Sequence, residues 1–199
     1  MPRKDLREDG KRTREFVEKA HRYLITSMVE KIQPVVIAEA KGAIVEDIDG
    51  EEYIDCFAGI SVVNAGHCHP EVIKSGIEQM KKLVHACSYV YYVPPTIRLA
   101  EKLAEITPLS LQKTFFGNSG AEAIECAVKL ARKFTKKYEM IALMGSFHGR
   151  TLGTLSLTGQ AGRKKYDMGP YLSGVSYVAP PYCYRCFFEK EYPDCYSLR

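Results

Sequence analysis

The segment Asn118-Ser119-Gly120-Ala121 places small residues and a hydroxyl directly before a stretch with helical periodicity. The first N–H groups of a helix have no partner within it and lie at the positive end of its dipole. They can therefore bind a phosphate dianion, and Ser119 can add a hydroxyl donor. An ordinary helix N-cap uses the same residue types, so this segment alone leaves both interpretations open. It matches neither a Walker A loop nor the Gly-x-Gly-x-x-Gly fingerprint.

A second segment, Ser146-Phe147-His148-Gly149-Arg150-Thr151, follows the next predicted strand. An aromatic ring such as that of Phe147 can stack on a planar cofactor. The Arg150 guanidinium can hold a carboxylate through two parallel hydrogen bonds. Ligands of open α/β sheets bind outside the carboxyl ends of the strands, so both segments could face one pocket. The alternative is a loop with a core phenylalanine and a surface arginine.

The elements around these two segments predict an α/β fold. Residues 113–116 and 140–144 read as strands, and residues 121–137 read as a helix between them. The apolar positions expected to face inward on this helix recur at helical spacing: Ile124, Ala127, Val128, Ala131 and Phe134. The order strand, turn, helix, strand is typical of a parallel βαβ unit.

The N-terminal half of the chain predicts helices and one hairpin. Asp49-Gly50 supplies the positive φ angles of a tight turn, so residues 43–48 and 52–55 should pair as a β-hairpin. Pro34 should end the first helix, and Pro70 suits the first position of another. Residues 59–66 read as a loop. The predicted helices are 14–32, 70–83 and 96–106, the last bounded by Pro94-Pro95 and Pro108.

Composition excludes several classes of protein. The 199 residues are 46% hydrophobic, which supports a packed core, and the net charge of +4 comes from interleaved acidic and basic residues without a nucleic-acid footprint. The charge run 3–14 reads as a solvated tail or helix end. No segment approaches the about 18 apolar residues of a membrane helix, and the N-terminus is too charged for a secretory signal. We therefore expect a soluble, cytoplasmic protein whose seven cysteines are thiols or metal ligands.

Three stretches, in register, resemble the class III aminotransferases, which depend on pyridoxal 5′-phosphate (PLP). GNSGAEAIECAVKLAR and SFHGRTLGTLSLTGQ are similar to the family's phosphate-binding and ring-stacking segments, and DIDGEEYIDCFAGISVVNAGHCHPEV to its N-terminal hairpin and substrate-side loop. The resemblance covers roughly residues 35–170 and is nearest to 4-aminobutyrate and acetylornithine aminotransferases. It implies an incomplete large domain of fold type I, residues 70–199, preceded by the helix, hairpin and loop of the small domain, residues 1–69.

The resemblance also implies roles for individual residues. The amides of Gly120 and Ala121, with the Ser119 hydroxyl, would hold the PLP phosphate, although many relatives have Ser or Thr where this chain has Ala121. Phe147 would stack on the pyridine ring and Arg150 would bind the carboxylate of an amino acid or a 2-oxo acid. His148 would lie beside the cofactor, or be an ordinary packed histidine. Ile60 would line the substrate pocket, or belong to the core.

The lysine that forms the Schiff base with PLP in the family has no counterpart in this chain, because no lysine here has the family's sequence context. We therefore assign no catalytic residue. We expect either a fragment of a longer gene product or a truncated gene, inactive alone and at most retaining some PLP or phosphate binding. The family forms homodimers, and the Tyr-rich segment 85–95 is a candidate contact region by analogy.

The cysteines near the end of the sequence suggest an alternative function. Cys183-x-x-Cys186 followed by Cys195 could bind zinc or an iron–sulfur cluster, but a structural zinc site needs four ligands and the cluster offers three. A reduced, metal-free loop is the other interpretation. His67-Cys68-His69 has no partner motif at zinc spacing and reads as a turn into a helix.

Overall fold

The computed structural model describes residues 10–25, 32–108, 110–160, 167–193 and 195, so most of the charge run 3–14 lies outside the described residues. The chain forms two compact units, Met1–Val93 and Pro94–Arg199, which are described separately. The predicted boundary at 69/70 concerns the domains of a whole enzyme and stays a prediction.

Unit 1 combines helices with a three-stranded antiparallel sheet in the order β1-β2-β3. The predicted hairpin is confirmed: β2 pairs with β3, with Val45 opposite Tyr53, around a turn in which Gly50 has a φ of +90°. The buried Asp47 carboxylate closes that turn by accepting from the amides of Asp49 and Glu51. The elements of unit 1 are α1 (Lys11–Tyr23), β1 (Ile37–Lys41), β2 (Ile44–Asp47), β3 (Glu52–Ile54), α2 (Ala58–Ser61) and α3 (Pro70–Lys82).

Two predicted boundaries in unit 1 need correction. The helix predicted over 14–32 begins at Lys11 and ends at Tyr23, and Leu24 already has an extended backbone. Residues 26–31 of that prediction lie outside the described residues. Apolar spacing therefore continued past the last residue that the helix uses. The predicted loop 59–66 contains the short turn α2, whose residues have positive φ angles. By contrast, α3 begins at Pro70 as expected, with Glu71 in its first turn.

Helix α1 is capped from a distance by the hairpin turn. Its own N-cap residue, Gly10, has no side chain to offer, and the Asp49 carboxylate takes that place. Asp49 Oδ2 accepts from the Thr13 amide at 3.1 Å and from the Thr13 hydroxyl at 2.6 Å. The turn residue Asp49 therefore also fixes the first turn of α1 against the sheet, a second role that the sequence pattern did not reveal.

This contact should make the attachment of α1 sensitive to acid. The pKa of Asp49 lies below its ordinary value, chiefly because the Thr13 hydroxyl donates to the carboxylate. The contact is therefore at full strength above the unfolded pKa of about 4 and is lost as pH falls through the lower folded pKa. An NMR pH titration that follows the amide of residue 13 should show a midpoint below the unfolded pKa of an aspartate, and Thr13→Val should move that midpoint upward. An unchanged midpoint in Thr13→Val would contradict the capping role.

Unit 2 contains a parallel pair of strands covered by helices. Strand β4 (Met140–Leu143) pairs in parallel with β5 (Val175–Val178), with Met140 opposite Val175 and Leu143 opposite Val178. Val128, Ala142 and Leu157 form its buried core, with Ile124, Met140, Val175 and Tyr177 packed around them. The α/β fold class is thus confirmed. The helices are α4 (Pro94–Ile106), α5 (Gly120–Thr135) and α6 (Leu152–Leu157), and a 3₁₀ turn spans Cys183–Arg185.

Three predictions for unit 2 need correction. Residues 113–116 are not a strand, and no described strand lies beside them to share a ladder of hydrogen bonds. Helix α4 begins at Pro94, because proline fits the first turn of a helix and did not break the chain. On α5, Val128 is buried and Ile124 partly so, whereas Ala127 is exposed and Phe134 is 86% exposed. The apolar band of α5 is wider than the surface that the strand pair covers.

Among the described residues, none of the helices combines the length and apolar character that a bilayer-spanning segment requires.

Candidate functional site

The tip of α5 has the geometry expected of an anion-binding helix start. Ser119 is the N-cap, and its hydroxyl oxygen accepts from the Glu122 amide at 3.2 Å. The Glu122 carboxylate reaches back and accepts from the Asn118 amide. Within the described chain, the N–H groups of Gly120 and Ala121 have no acceptor, and apart from the neighbouring backbone no atom lies within 4 Å of where a Gly120 Cβ would be.

The N-cap interpretation of this segment is confirmed, and it is compatible with phosphate binding. A hydroxyl has one proton to donate and two lone pairs, so Ser119 can cap the helix and still donate to a ligand. Two free amides at the positive end of a 16-residue helix, together with one available hydroxyl, fit a phosphate group. The Glu122 carboxylate occupies the neighbouring Asn118 amide and leaves these donors open.

The second segment lies against this helix tip. Gly149 has a φ of +133°, and a Cβ there would lie 2.5 Å from Thr154 Oγ1 and 2.8 Å from Ala121 Cβ. Only a glycine fits between α5 and α6 at this point. The structure therefore brings the predicted phosphate-binding and ring-stacking segments together within one unit.

The side chains of Phe147 and Arg150 lie next to each other on the loop. The Arg150 guanidinium carbon lies 5.6 Å from the centroid of the Phe147 ring, within the range of a cation–π contact. The Phe147 side chain is 46% exposed and Arg150 is exposed. Phe147 is thus a half-exposed ring that can take a planar partner, rather than a core residue, and the cation beside it can meet an anionic group.

His148 is held in place through its own backbone amide. Its amide donates to Thr158 Oγ1 at 3.1 Å, and the Thr158 hydroxyl in turn donates to the Thr154 carbonyl at 3.0 Å. Thr154 and Thr158 are fully buried. Buried hydroxyl groups of α6 and the residue after it therefore hold the loop in place. The sequence analysis missed them, although the alternation Thr154-Leu-Ser-Leu-Thr158 was a signal for them. A role for the His148 ring beside a cofactor stays a prediction.

Removing the Thr158 hydroxyl should loosen the loop. In Thr158→Val the His148 amide loses its acceptor in a buried place, which should lower the free energy of unfolding by about 2 kcal/mol in urea denaturation. Hydrogen exchange at the His148 amide should rise as well. Thr158→Ser keeps the hydroxyl and loses one methyl group, so it should cost about 1 kcal/mol or less and leave that amide protected. Equal exchange in the two variants would refute this role.

In unit 1, Ile60 lies on a strained turn. Ala58, Gly59, Ile60 and Ser61 all have φ angles between +49° and +65°, a left-handed conformation unfavourable for residues with a Cβ. Asp55 Oδ1 accepts from the Phe57 and Ala58 amides at 2.8 and 2.9 Å, which fixes the start of the turn. Ile60 is 72% exposed, so it is not a core residue of this unit. Its place in a substrate pocket stays a prediction.

The Asp55 carboxylate also holds His67. Asp55 Oδ2 lies 2.7 Å from His67 Nε2, and this hydrogen bond is the main reason why the pKa of Asp55 lies below its ordinary value. His67 thus fastens the turn, through Asp55, to the start of α3. It serves as a structural partner, in line with the expectation that His67-Cys68-His69 is a turn into a helix.

The metal interpretation has no support in the structure. In the described ranges, which include Cys183, Cys186 and Cys195, no three His, Cys, Asp or Glu side chains come together as metal ligands do. All three thiols are free, and Cys195 Sγ contacts the Glu191 carbonyl oxygen at 3.8 Å. Cys-x-x-Cys spacing does not fix the directions of the side chains, and here they do not form a ligand set.

Comparison with known proteins identifies the family. The family described as aminotransferase class-III matches residues 25–197. The chain belongs to this family. An acetylornithine aminotransferase from Methanosarcina mazei is 49% identical over 146 residues, which are 73% of this chain and 36% of that protein.

Two further class III relatives extend the comparison. A 5-aminovalerate aminotransferase from Pseudomonas aeruginosa is 40% identical, over 85% of this chain and 40% of its own length. A solved ornithine aminotransferase from Toxoplasma gondii, described with partial occupancy of PLP at its active site, matches with a TM-score of 0.72 and 28% identity. That match covers 84% of this chain and 40% of the other. The class III chain described here corresponds to the N-terminal portion of the family and spans about two fifths of the length of its relatives.

Proposed function

We propose that this chain supplies the phosphate-binding and ring-binding part of a PLP-dependent transaminase that moves an amino group from an amino acid to a 2-oxo acid. The observation that supports the proposal best is the meeting of the α5 tip with the 146–151 loop at Ala121 and Gly149. The amides of Gly120 and Ala121 and the Ser119 hydroxyl bind the phosphate. Phe147 covers the pyridine ring, and His148 lies beside the cofactor.

PLP, when bound, acts as an electron sink for the substrate carbon that carries the amino group. The residues of this chain bind and orient the cofactor and the substrate. The helix tip holds a dianion at one end of the site. Phe147 would stack on the cofactor ring, and Arg150, whose guanidinium carbon lies 5.6 Å from the Phe147 ring centroid, would bind a substrate carboxylate.

We further propose that the lysine that anchors PLP belongs to a part of the protein outside these 199 residues. No lysine in the sequence has the family's context around it, and the chain spans 36% to 40% of its curated relatives. The chain alone then binds PLP reversibly and performs no turnover.

The proposed substrates and assembly follow the relatives. Acetylornithine, 4-aminobutyrate or a similar amino donor fits an arginine that receives a carboxylate, with a 2-oxo acid as acceptor. The whole enzyme is a homodimer in this proposal, with the segment 85–95 at the contact. Tyr89, Tyr91 and Tyr92 are exposed there and offer aromatic area to a second subunit.

Titration of the 199-residue chain with PLP tests the proposal. We expect saturable binding, displaced by excess inorganic phosphate. We also expect no single modified lysine after borohydride reduction and mass spectrometry, and no turnover with acetylornithine or 4-aminobutyrate and 2-oxoglutarate. Absence of saturable binding would remove the cofactor site. Turnover, or stoichiometric labelling of one lysine, would overturn the assignment of the anchoring residue to another part of the protein.

A proline at residue 120 tests the helix tip itself. Gly120 is the first residue of α5, where proline is tolerated, and Ser119 is already extended, as a residue before proline must be. Gly120→Pro removes one N–H and should weaken both PLP and inorganic phosphate by about tenfold. Gly120→Ala keeps the N–H and adds a methyl group in open space, so it should lose much less affinity for PLP and inorganic phosphate. Equal losses would argue against the amide as a phosphate donor.

A further inference from the structure

Beyond its tip, α5 makes a second connection to the 146–151 loop, through Glu125. Glu125 Oε1 accepts from the Thr151 hydroxyl at 2.5 Å. Thr151 is the N-cap of α6, and its Oγ1 also accepts from the Thr154 amide at 3.3 Å. A single hydroxyl thus caps α6 and ties it to α5.

The fit around Glu125 depends on a glycine. A Cβ at Gly153 would lie 2.4 Å from Glu125 Oε1 and 2.7 Å from Oε2. The carboxylate therefore lies directly against the first turn of α6, and a side chain at residue 153 would push it aside. The Glu125 carboxylate thus meets the start of α6 at two positions, the N-cap Thr151 and Gly153.

The two connections lie on one face of α5. Ala121 and Glu125 are four residues apart, which is about one helical turn. The loop contacts the first at Gly149 and the second at Thr151. Arg150 lies between Gly149 and Thr151 in the sequence, and Phe147 lies two residues before Gly149.

We propose that Glu125 is a positioning residue that fixes Phe147 and Arg150 relative to the helix tip, an inference that rests on the proposed function. Glu125 itself is one turn away from the free amides. Its removal frees the loop at Thr151 while the Gly120 and Ala121 amides stay where α5 places them. The site then keeps its phosphate donors and loses the fixed place of its ring.

The test compares two ligands on the same protein, PLP and inorganic phosphate. Glu125→Ala should weaken PLP by about five- to tenfold, the effect of about one net hydrogen bond, and change phosphate affinity by less than about twofold. Thr151→Val should act in the same way. Glu125→Gln, whose amide oxygen still accepts from Thr151, should recover most of the loss. In a cycle with Phe147→Ala, the two changes should not add, because both act on the ring.

A measurement without ligand separates this inference from the proposed function. Hydrogen exchange at residues 147–151 should rise in Glu125→Ala and stay low in Glu125→Gln, with α5 unchanged in both. Unchanged exchange in the loop, equal loss of PLP and phosphate, or additive effects with Phe147→Ala would each overturn the positioning role. If wild type binds neither ligand, the proposed function and the inference resting on it both fail. If Glu125→Ala does not fold, Thr151→Val against Thr151→Ser makes the same comparison.

Discussion

Replacing Phe147 by alanine is expected to weaken PLP binding by about ten- to a hundredfold, because an aromatic ring stacked on a planar ligand contributes about 1.5–3 kcal/mol. The residue is 46% exposed, so part of its surface can meet a planar ligand. Inorganic phosphate has no ring to stack, and its affinity should change little. Fluorescence titration with PLP and competition with phosphate measure both quantities.

Phe147→Tyr is the matched control. It keeps the aromatic ring and should bind PLP within a few-fold of wild type. The free energy of unfolding should fall only modestly in Phe147→Ala, because the side chain is half exposed and supports little of the core. Equal PLP retention by the alanine variant would remove Phe147 from the site.

The parts of the fold that sequence predicted correctly depend on local chemistry. The turn of the hairpin needs only the positive φ of Gly50, and Pro70 is favoured at the first position of a helix whatever lies around it. Ser119 starts α5 because its side chain reaches an amide three residues later. None of these signals depends on what lies elsewhere in the chain.

The parts that sequence could not predict depend on distant partners. A strand over 113–116 requires a neighbouring strand, and β-prone residues alone do not supply one. The cap of α1 comes from Asp49, which is 36 residues from Thr13. The link between Glu125 and Thr151 spans 26 residues and joins two side chains that look like ordinary surface residues in the sequence.

The candidate site shows the same division. Sequence predicted which residue types could bind a phosphate and a ring, and the rule that ligands collect at strand ends predicted that the two segments meet. How they meet is a matter of packing: Gly149 fits against Ala121 and Thr154, and buried hydroxyls hold the loop from the other side. The spacing of Cys183, Cys186 and Cys195 suggested a metal site, but among the described residues their side chains do not come together as a set of ligands.

Gly149→Ala is expected to lower the free energy of unfolding by about 2–6 kcal/mol, the sum of backbone strain and overpacking. The φ of +133° is one that residues with a Cβ rarely adopt, and the new methyl group would meet Thr154 Oγ1 and Ala121 Cβ at 2.5 and 2.8 Å. Urea denaturation measures the loss. Gly76→Ala is the matched control: it adds the same methyl group inside α3 with no atom within 4 Å and should stabilise by up to about 1 kcal/mol.

A second substitution tests whether the loop really lies against the helix tip. Ala121→Gly removes the atom that a Cβ at residue 149 would approach to 2.8 Å, so the pair Gly149→Ala and Ala121→Gly should be less unstable than the sum of the two single changes. The backbone strain at residue 149 and the approach to Thr154 remain, so recovery is partial, about 1 kcal/mol or more. Strict additivity would mean that Ala121 and Gly149 are not in contact. In that case the phosphate-binding tip and the ring-bearing loop would belong to separate places on the protein.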